Sequence, residues 1–204
     1  MALAQGRYRW RHDQVLKEIA QCIEDKRKSN IGKQRSRRKG IEFIKEGEKR
    51  KRGGKNDIES YFGTAQDWKM EVDLGKRLKV PLCMGITNLR PDILLISEKE
   101  KQMGIIELTV PSEERIEISG ELKKTKYETL VEMGRQKGWN IRMWAVEVGC
   151  RGFPAASMAT LLKDLGYTGG QRKRLLSKIG SAAEIASHSI WKWSHIKEWG
   201  SKKT

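Results

Sequence analysis

Two carboxylates and two lysines are spaced so that they could do chemistry together. Asp92 opens the apolar run Ile93 to Ile96, and Glu107 lies inside the longer run Met103 to Val110, with the polar stretch Ser97 to Gln102 between them. Short runs rich in Ile, Leu and Val and bounded by polar residues or proline read as neighbouring strands of a hairpin. A hairpin can bring the two acids together. Lys123 and Lys126 lie beyond it on a helical stretch, three residues apart and therefore on one face. Two carboxylates beside a lysine-bearing helix make a hard-oxygen site suited to a divalent cation such as Mg²⁺. Taken singly, each residue has an ordinary explanation: Asp92 can start a strand after Pro91, Glu107 can be an edge charge, and the lysines a solvated face. Glu107 weighs against that, because it interrupts an apolar strand, where a carboxylate is costly to bury unless a cation compensates it.

The elements that would position these residues are legible around them. Val15, Leu16, Ile19, Cys22 and Ile23 recur at helical spacing within Arg7 to Asp25, with Asp13 expected in the first turn. Asp67 to Leu74 alternates Trp68, Met70, Val72 and Leu74 against polar residues, as a half-buried strand does. The hairpin comes next, then a helix that Ser112 can cap and Gly138 ends, then a strand at Ile141 to Val148. Gly120 weakens the middle of that helix without forbidding it. Two more helices are expected at Ala155 to Leu165 and Arg172 to Ala186, with Trp191, Trp193 and Trp199 clustered at the end. The order is helix, three strands, helix, strand, which predicts an α/β fold with a mixed sheet flanked by helices. The expected divisions are an N-terminal helix over 1–25, a basic arm over 26–60, the catalytic sheet and helix over 61–153, and a helical extension over 154–204.

The chain of 204 residues has a formal charge of +16 and a sequence pI near 9.9. So lopsided a balance points to a polyanionic partner, of which nucleic acid is the commonest. Much of the excess lies between Lys26 and Lys55, where fourteen Lys or Arg face only Glu42, Glu46 and Glu48. Arg35, Arg37, Arg38, Lys39, Lys49, Arg50, Lys51 and Arg52 are the expected phosphate contacts there, and they would make binding strongly salt-dependent. A solvated arm is the plainer reading of the same charge. Arg151 and the trio Arg172, Lys173 and Arg174 are further candidates. No apolar run is long enough to span a bilayer. Cys22, Cys83 and Cys150 are odd in number and lack CxxC spacing, which argues for a reducing compartment. His12, His188 and His195 have no metal-ligand spacing.

At PD (Pro91, Asp92) and ELT (Glu107, Leu108, Thr109) the chain resembles the PD-(D/E)xK superfamily of restriction-endonuclease-like proteins. The phrases RHDQVL (Arg11 to Leu16), DWKMEVDL, LRPDILL (Leu89 to Leu95), IIELTVPSEERI (Ile105 to Ile116), KKTKY (Lys123 to Tyr127) and VEVGCRGF (Val146 to Phe153) resemble, more narrowly, the restriction-like endonuclease region at the C-terminal end of non-long-terminal-repeat retrotransposon polyproteins. That resemblance implies an αβββαβ core and Mg²⁺ or Mn²⁺ held by Asp92, Glu107 and the Leu108 carbonyl. It also implies a nuclear endonuclease that nicks target DNA, with structured retroelement RNA, a homodimer or a parent polyprotein with reverse transcriptase as further partners.

This sequence departs from the family pattern at Thr109, which stands where the superfamily has lysine. Either activity is lost, or an amine from elsewhere fills the space. In the relatives the lysine-rich helix is thought to supply it, which favours relocation to Lys126, with Lys123 as its companion and Tyr127 adjacent. His12 and Asp13 are expected to support the site if the RHD phrase faces it, while the plainer role for Asp13 is to cap a helix. Two rival functions remain beside the nuclease: a catalytically inactive nucleic-acid-binding module, and a protein-interaction domain built on the tryptophan-rich end.

Overall fold

The computed structural model describes residues 6–30, 60–75, 78–81 and 87–194. The elements in chain order are α1 (Arg7–Asn30), β1 (Lys69–Val72), β2 (Ile93–Ser97), β3 (Gln102–Thr109), α2 (Ile116–Gln136), β4 (Asn140–Glu147), α3 (Ala156–Asp164) and α4 (Gly169–Lys192). They form an α/β fold on a four-stranded sheet of order β1-β2-β3-β4. The first three strands pair antiparallel with one another, and β4 joins parallel to β3 after α2 crosses over. The order of helices and strands through β4 is the one the residue pattern predicts.

The two central strands are buried on both faces, which is why they read as continuous apolar runs and not as alternation. Strand parity divides their side chains. Ile93, Leu95, Ile106 and Leu108 pack with α1, α3 and α4 residues such as Leu16, Ile19, Leu161 and Ile179. Leu94, Ile96, Met103 and Ile105 turn the other way, onto Tyr127 and Leu130 of α2. Odd positions of β3 therefore face α2, and that parity directs Glu107 toward the lysine-bearing helix.

Three details correct or extend the expectations. Helix α1 already begins at Arg7, so Asp13 sits in its interior and caps nothing. The helix also continues to Asn30, past the expected boundary at residue 25, because Lys26 and Arg27 donate to the carbonyls of Gly166 and Trp68. Ser112 makes no side-chain capping bond; α2 is preceded by a 3-10 turn at Glu113–Arg115 and starts after Arg115. Glu113 instead accepts a hydrogen bond from the Arg151 backbone N–H at 2.7 Å. At its far end α2 closes on Gly138, whose φ of +80° is the left-handed conformation that glycine adopts without strain.

Gly120 has a packing reason. A Cβ built there would lie 2.6 Å from the Glu147 Oε1, so the missing side chain lets α2 approach the buried carboxylate at the end of β4. Helix α4 runs from Gly169 to Lys192, beyond both expected ends, and opens with a capping box between Thr168 and Gln171. Trp191 lies on it and is largely exposed, while Trp199 falls outside the described residues. The basic residues Arg35 to Lys39 and Lys49 to Arg52, and Cys83, also fall outside them. Cys22 and Cys150 are free thiols. Among the described residues no helix is long and apolar enough to cross a membrane.

Candidate active site

The register of the sheet builds the site. In the β2–β3 ladder Ile93 faces Ile106, so one step further along the same pairing Asp92 faces Glu107. In the β1–β2 ladder Val72 faces Ile93, and the next step sets Asp73 opposite Asp92, where the Asp73 N–H donates to the Asp92 carbonyl at 2.8 Å. Three acids from three strands thus share one row, all buried. Beside them opens a cleft of about 480 Å³ whose lining includes Asp92, Glu107, Thr109, His12, Lys123 and Lys126.

Glu107 is 2 % exposed and is met from α2. Lys123 Nζ lies 2.5 Å from its Oε1, Lys126 Nζ lies 3.6 Å from the same oxygen, and the Tyr127 hydroxyl donates to Oε2 at 2.9 Å. A helix periodicity of three to four residues is what lets three side chains within five positions reach one carboxylate. Lys123 therefore makes the closer approach of the two amines, whereas Lys126 is the one expected from the resemblance. Burial, together with the Glu107 charge and hydrogen bond, pushes the Tyr127 hydroxyl far above its usual range, so it stays protonated and donating.

Asp92 is held differently. Its Oδ2 accepts the Leu108 N–H at 2.8 Å and lies 3.2 Å from His12 Nε2, while His12 Nδ1 lies 3.1 Å from Asp13 Oδ1. The RHD phrase thus faces the acids, which is one of the two roles its sequence allows. Burial opposes charge on the imidazole, but the Asp92 and Asp13 carboxylates outweigh it and raise its pKa. A ring with a carboxylate at each nitrogen is best satisfied when both nitrogens donate.

The donor set suits a hard divalent ion. Thr109 O accepts from Val148 N on the β4 side, and successive carbonyls of a strand point to opposite edges, so the Leu108 carbonyl points toward β2 and Asp92. Two carboxylates and that carbonyl are oxygen ligands of the kind Mg²⁺ and Mn²⁺ take. Among the described residues no three His, Cys, Asp or Glu side chains gather as a metal cage, so solvent and substrate would complete the coordination. The Thr109 Oγ1 is buried with no hydrogen-bond partner at the edge of the cleft. It is an orphaned polar atom where a bound ligand or water would give it a partner.

No protein-family model matches the chain, and no curated protein matches it. Arg172, Lys173 and Arg174 sit at the start of α4, and Arg151 comes just after β4; none of them lines the cleft. Asp73, Arg9 and Arg90, which do line it, are the site residues that sequence reasoning missed. The signal for Asp73 was present in DWKMEVDL, since Met70, Val72 and Leu74 turn one way and leave Asp73 facing the other.

Proposed function

We propose that the protein is a divalent-metal-dependent DNA endonuclease that hydrolyses phosphodiester bonds in this cleft, nicking target DNA as the resembled retroelement domains do. One observation carries the reading: two ammonium groups and a phenol from α2 converge on Glu107, a buried carboxylate directly across the sheet from Asp92. That supplies from the helix the amine missing at Thr109. Asp92, Glu107 and the Leu108 carbonyl would hold Mg²⁺ or Mn²⁺. When bound, such an ion polarises a phosphoryl oxygen and makes water more acidic.

The chain's own groups account for the rest. Lys123, placed beside Glu107 and partly exposed to the cleft, offsets the negative charge that grows on the phosphoryl oxygens during attack. Lys126 is further from the carboxylate and more exposed, free to meet the substrate backbone. Tyr127 fixes the orientation of Glu107, and His12 that of Asp92.

A second reading, an inactive binding module, is favoured by one feature: both oxygens of Glu107 already have protein donors. Nicking of supercoiled plasmid with Mg²⁺ or Mn²⁺ separates the two. The nuclease reading predicts open-circle product from the wild type and at least ~100-fold less from Asp92→Ala, the scale of a lost electrostatic stabiliser. Equal cutting by both proteins, or cutting by neither, refutes it.

A further inference from the structure

We propose that Arg9 and Arg90, locked by the buried carboxylate of Asp73, form a subsite that grips a backbone phosphate of the DNA strand next to the Asp92 and Glu107 pair. Asp73 is 3 % exposed, yet it carries no catalytic geometry of its own; its oxygens are spent on positioning. Arg90 Nη2 donates to its Oδ1 at 2.8 Å and its Oδ2 at 3.0 Å. Arg9 Nη2 donates to its Oδ2 at 2.9 Å and to its backbone carbonyl at 3.0 Å, and the Leu78 N–H donates to Oδ1 at 3.0 Å. Arg9 Nε is tied in turn to Asp13 at 2.9 Å. Residues from α1, from the end of β1 and from the segment before β2 thus meet on one carboxylate.

The outward edges remain available. Arg90 Nε and Nη1, and Arg9 Nη1, have no partner among the described residues, both side chains are about half exposed, and both line the cleft. Asp73 and Asp13 offset part of the charge of the two guanidiniums, so the subsite adds directed contacts to what its charge supplies. It acts through directed N–H donors whose planar fork matches two phosphate oxygens. Fastening the forks before the ligand arrives removes part of the ordering that binding would otherwise require. The row across the strands sets Asp73, on which both forks are fastened, about one strand spacing, roughly 5 Å, from Asp92. A phosphate held by those forks would lie beside one at the acid pair, as consecutive phosphates of one strand do.

The inference rests on the nuclease reading for the neighbouring scissile phosphate, but its test does not use cleavage. Binding of a fluorescent DNA duplex is measured by anisotropy in EDTA across a salt series, with melting curves confirming that each variant is folded. Arg90→Gln, a half-exposed position, is expected to weaken binding about tenfold and to lower the slope of log K against log salt by about 0.9, one phosphate contact. Arg90→Lys keeps the charge without the fork, and is expected to keep the slope and still lose affinity. Asp73→Asn decides between positioning and mere charge balance. Removing a negative charge should tighten binding to a polyanion if Asp73 only balances charge, whereas loss of the locked forks weakens it. Arg90→Gln binding duplex like the wild type, or a folded Asp73→Asn binding more tightly, overturns the proposal. Loss of inorganic phosphate binding in Arg90→Gln with duplex binding unchanged would assign the pair to a free anion and overturn the strand assignment. A protein that binds as expected yet never nicks fails the nuclease reading and leaves this one standing.

Discussion

Replacing Lys123 by methionine should destabilise the protein far more than the same change at Lys126. Methionine keeps the stem length and the helix propensity, so what is lost is the ammonium. Glu107 is buried, and removing one partner of a buried pair typically costs about 3–5 kcal/mol. Here Lys126 and Tyr127 remain, and the Lys123 side chain is itself 28 % exposed, which reduces the expected loss to about 2 kcal/mol. Lys126 is 43 % exposed and sits 3.6 Å from the carboxylate, beyond hydrogen-bond distance, so its loss is worth about 0.5 kcal/mol. For a chain of this size those figures become drops of ~4–8 °C and ~1–2 °C in melting midpoint. Calorimetry without divalent ions reads the difference. Repeating it at one Mn²⁺ concentration, ten times the wild-type dissociation constant, adds about 1.4 kcal/mol to the wild type. The gain should be larger in Lys123→Met than in the wild type, because the ion no longer competes with an ammonium for Glu107. Equal melting of the two variants, or a larger loss at Lys126, would show that the contact at 2.5 Å is not what compensates Glu107.

Neighbouring contacts give further expected outcomes. Tyr127→Phe leaves Glu107 Oε2 without its O–H donor and should lower unfolding stability by about 1–2 kcal/mol in a urea titration. Burial raises the Glu147 carboxyl pKa, with the Ser157 hydrogen bond and the Lys124 charge acting in the opposite direction. The folded chain thus keeps a proton that the unfolded chain has released, so stability falls as pH rises from the ordinary value of 4.5 through the raised one. Glu147→Gln should therefore raise the melting midpoint at pH 7, and the gain should vanish below pH 4.5. Gly120→Ala would normally favour a helix by about 1 kcal/mol, but its Cβ would meet Glu147 at 2.6 Å. It should destabilise the wild type and stabilise a Glu147→Ala background, a sign change that a double-mutant cycle measures directly.

The strands and helices were legible because their apolar residues carry the period of their surroundings. Ile93 to Ile96 and Met103 to Val110 read as neighbouring strands because covered faces make them continuous apolar runs, and the end of the α2 helix was signalled by Gly138. Asp92 and Glu107 were legible for a related reason, as charges interrupting such runs. Register was not legible. Nothing local in DWKMEVDL says that Asp73 stands opposite Asp92, since strand pairing is set by the turn geometry and packing of segments far apart in sequence. The choice between Lys123 and Lys126 depended on the rotation of α2 over the sheet, where the helix comes close to Glu147 at Gly120. Asp13 was misplaced because the helix start lies at Arg7, where no side-chain cap marks it.

The proposed function assigns to Asp92 and Glu107 the metal on which strand cleavage depends. The Mn²⁺ dependence of plasmid nicking, measured on the wild type and on Asp92→Asn, tests that assignment. A metal held by this pair predicts a saturable rise in wild-type rate from nothing in EDTA, and no rise for Asp92→Asn at any Mn²⁺ concentration. Cleavage that persists in EDTA, or an Asp92→Asn variant that tracks the wild-type curve, would contradict it.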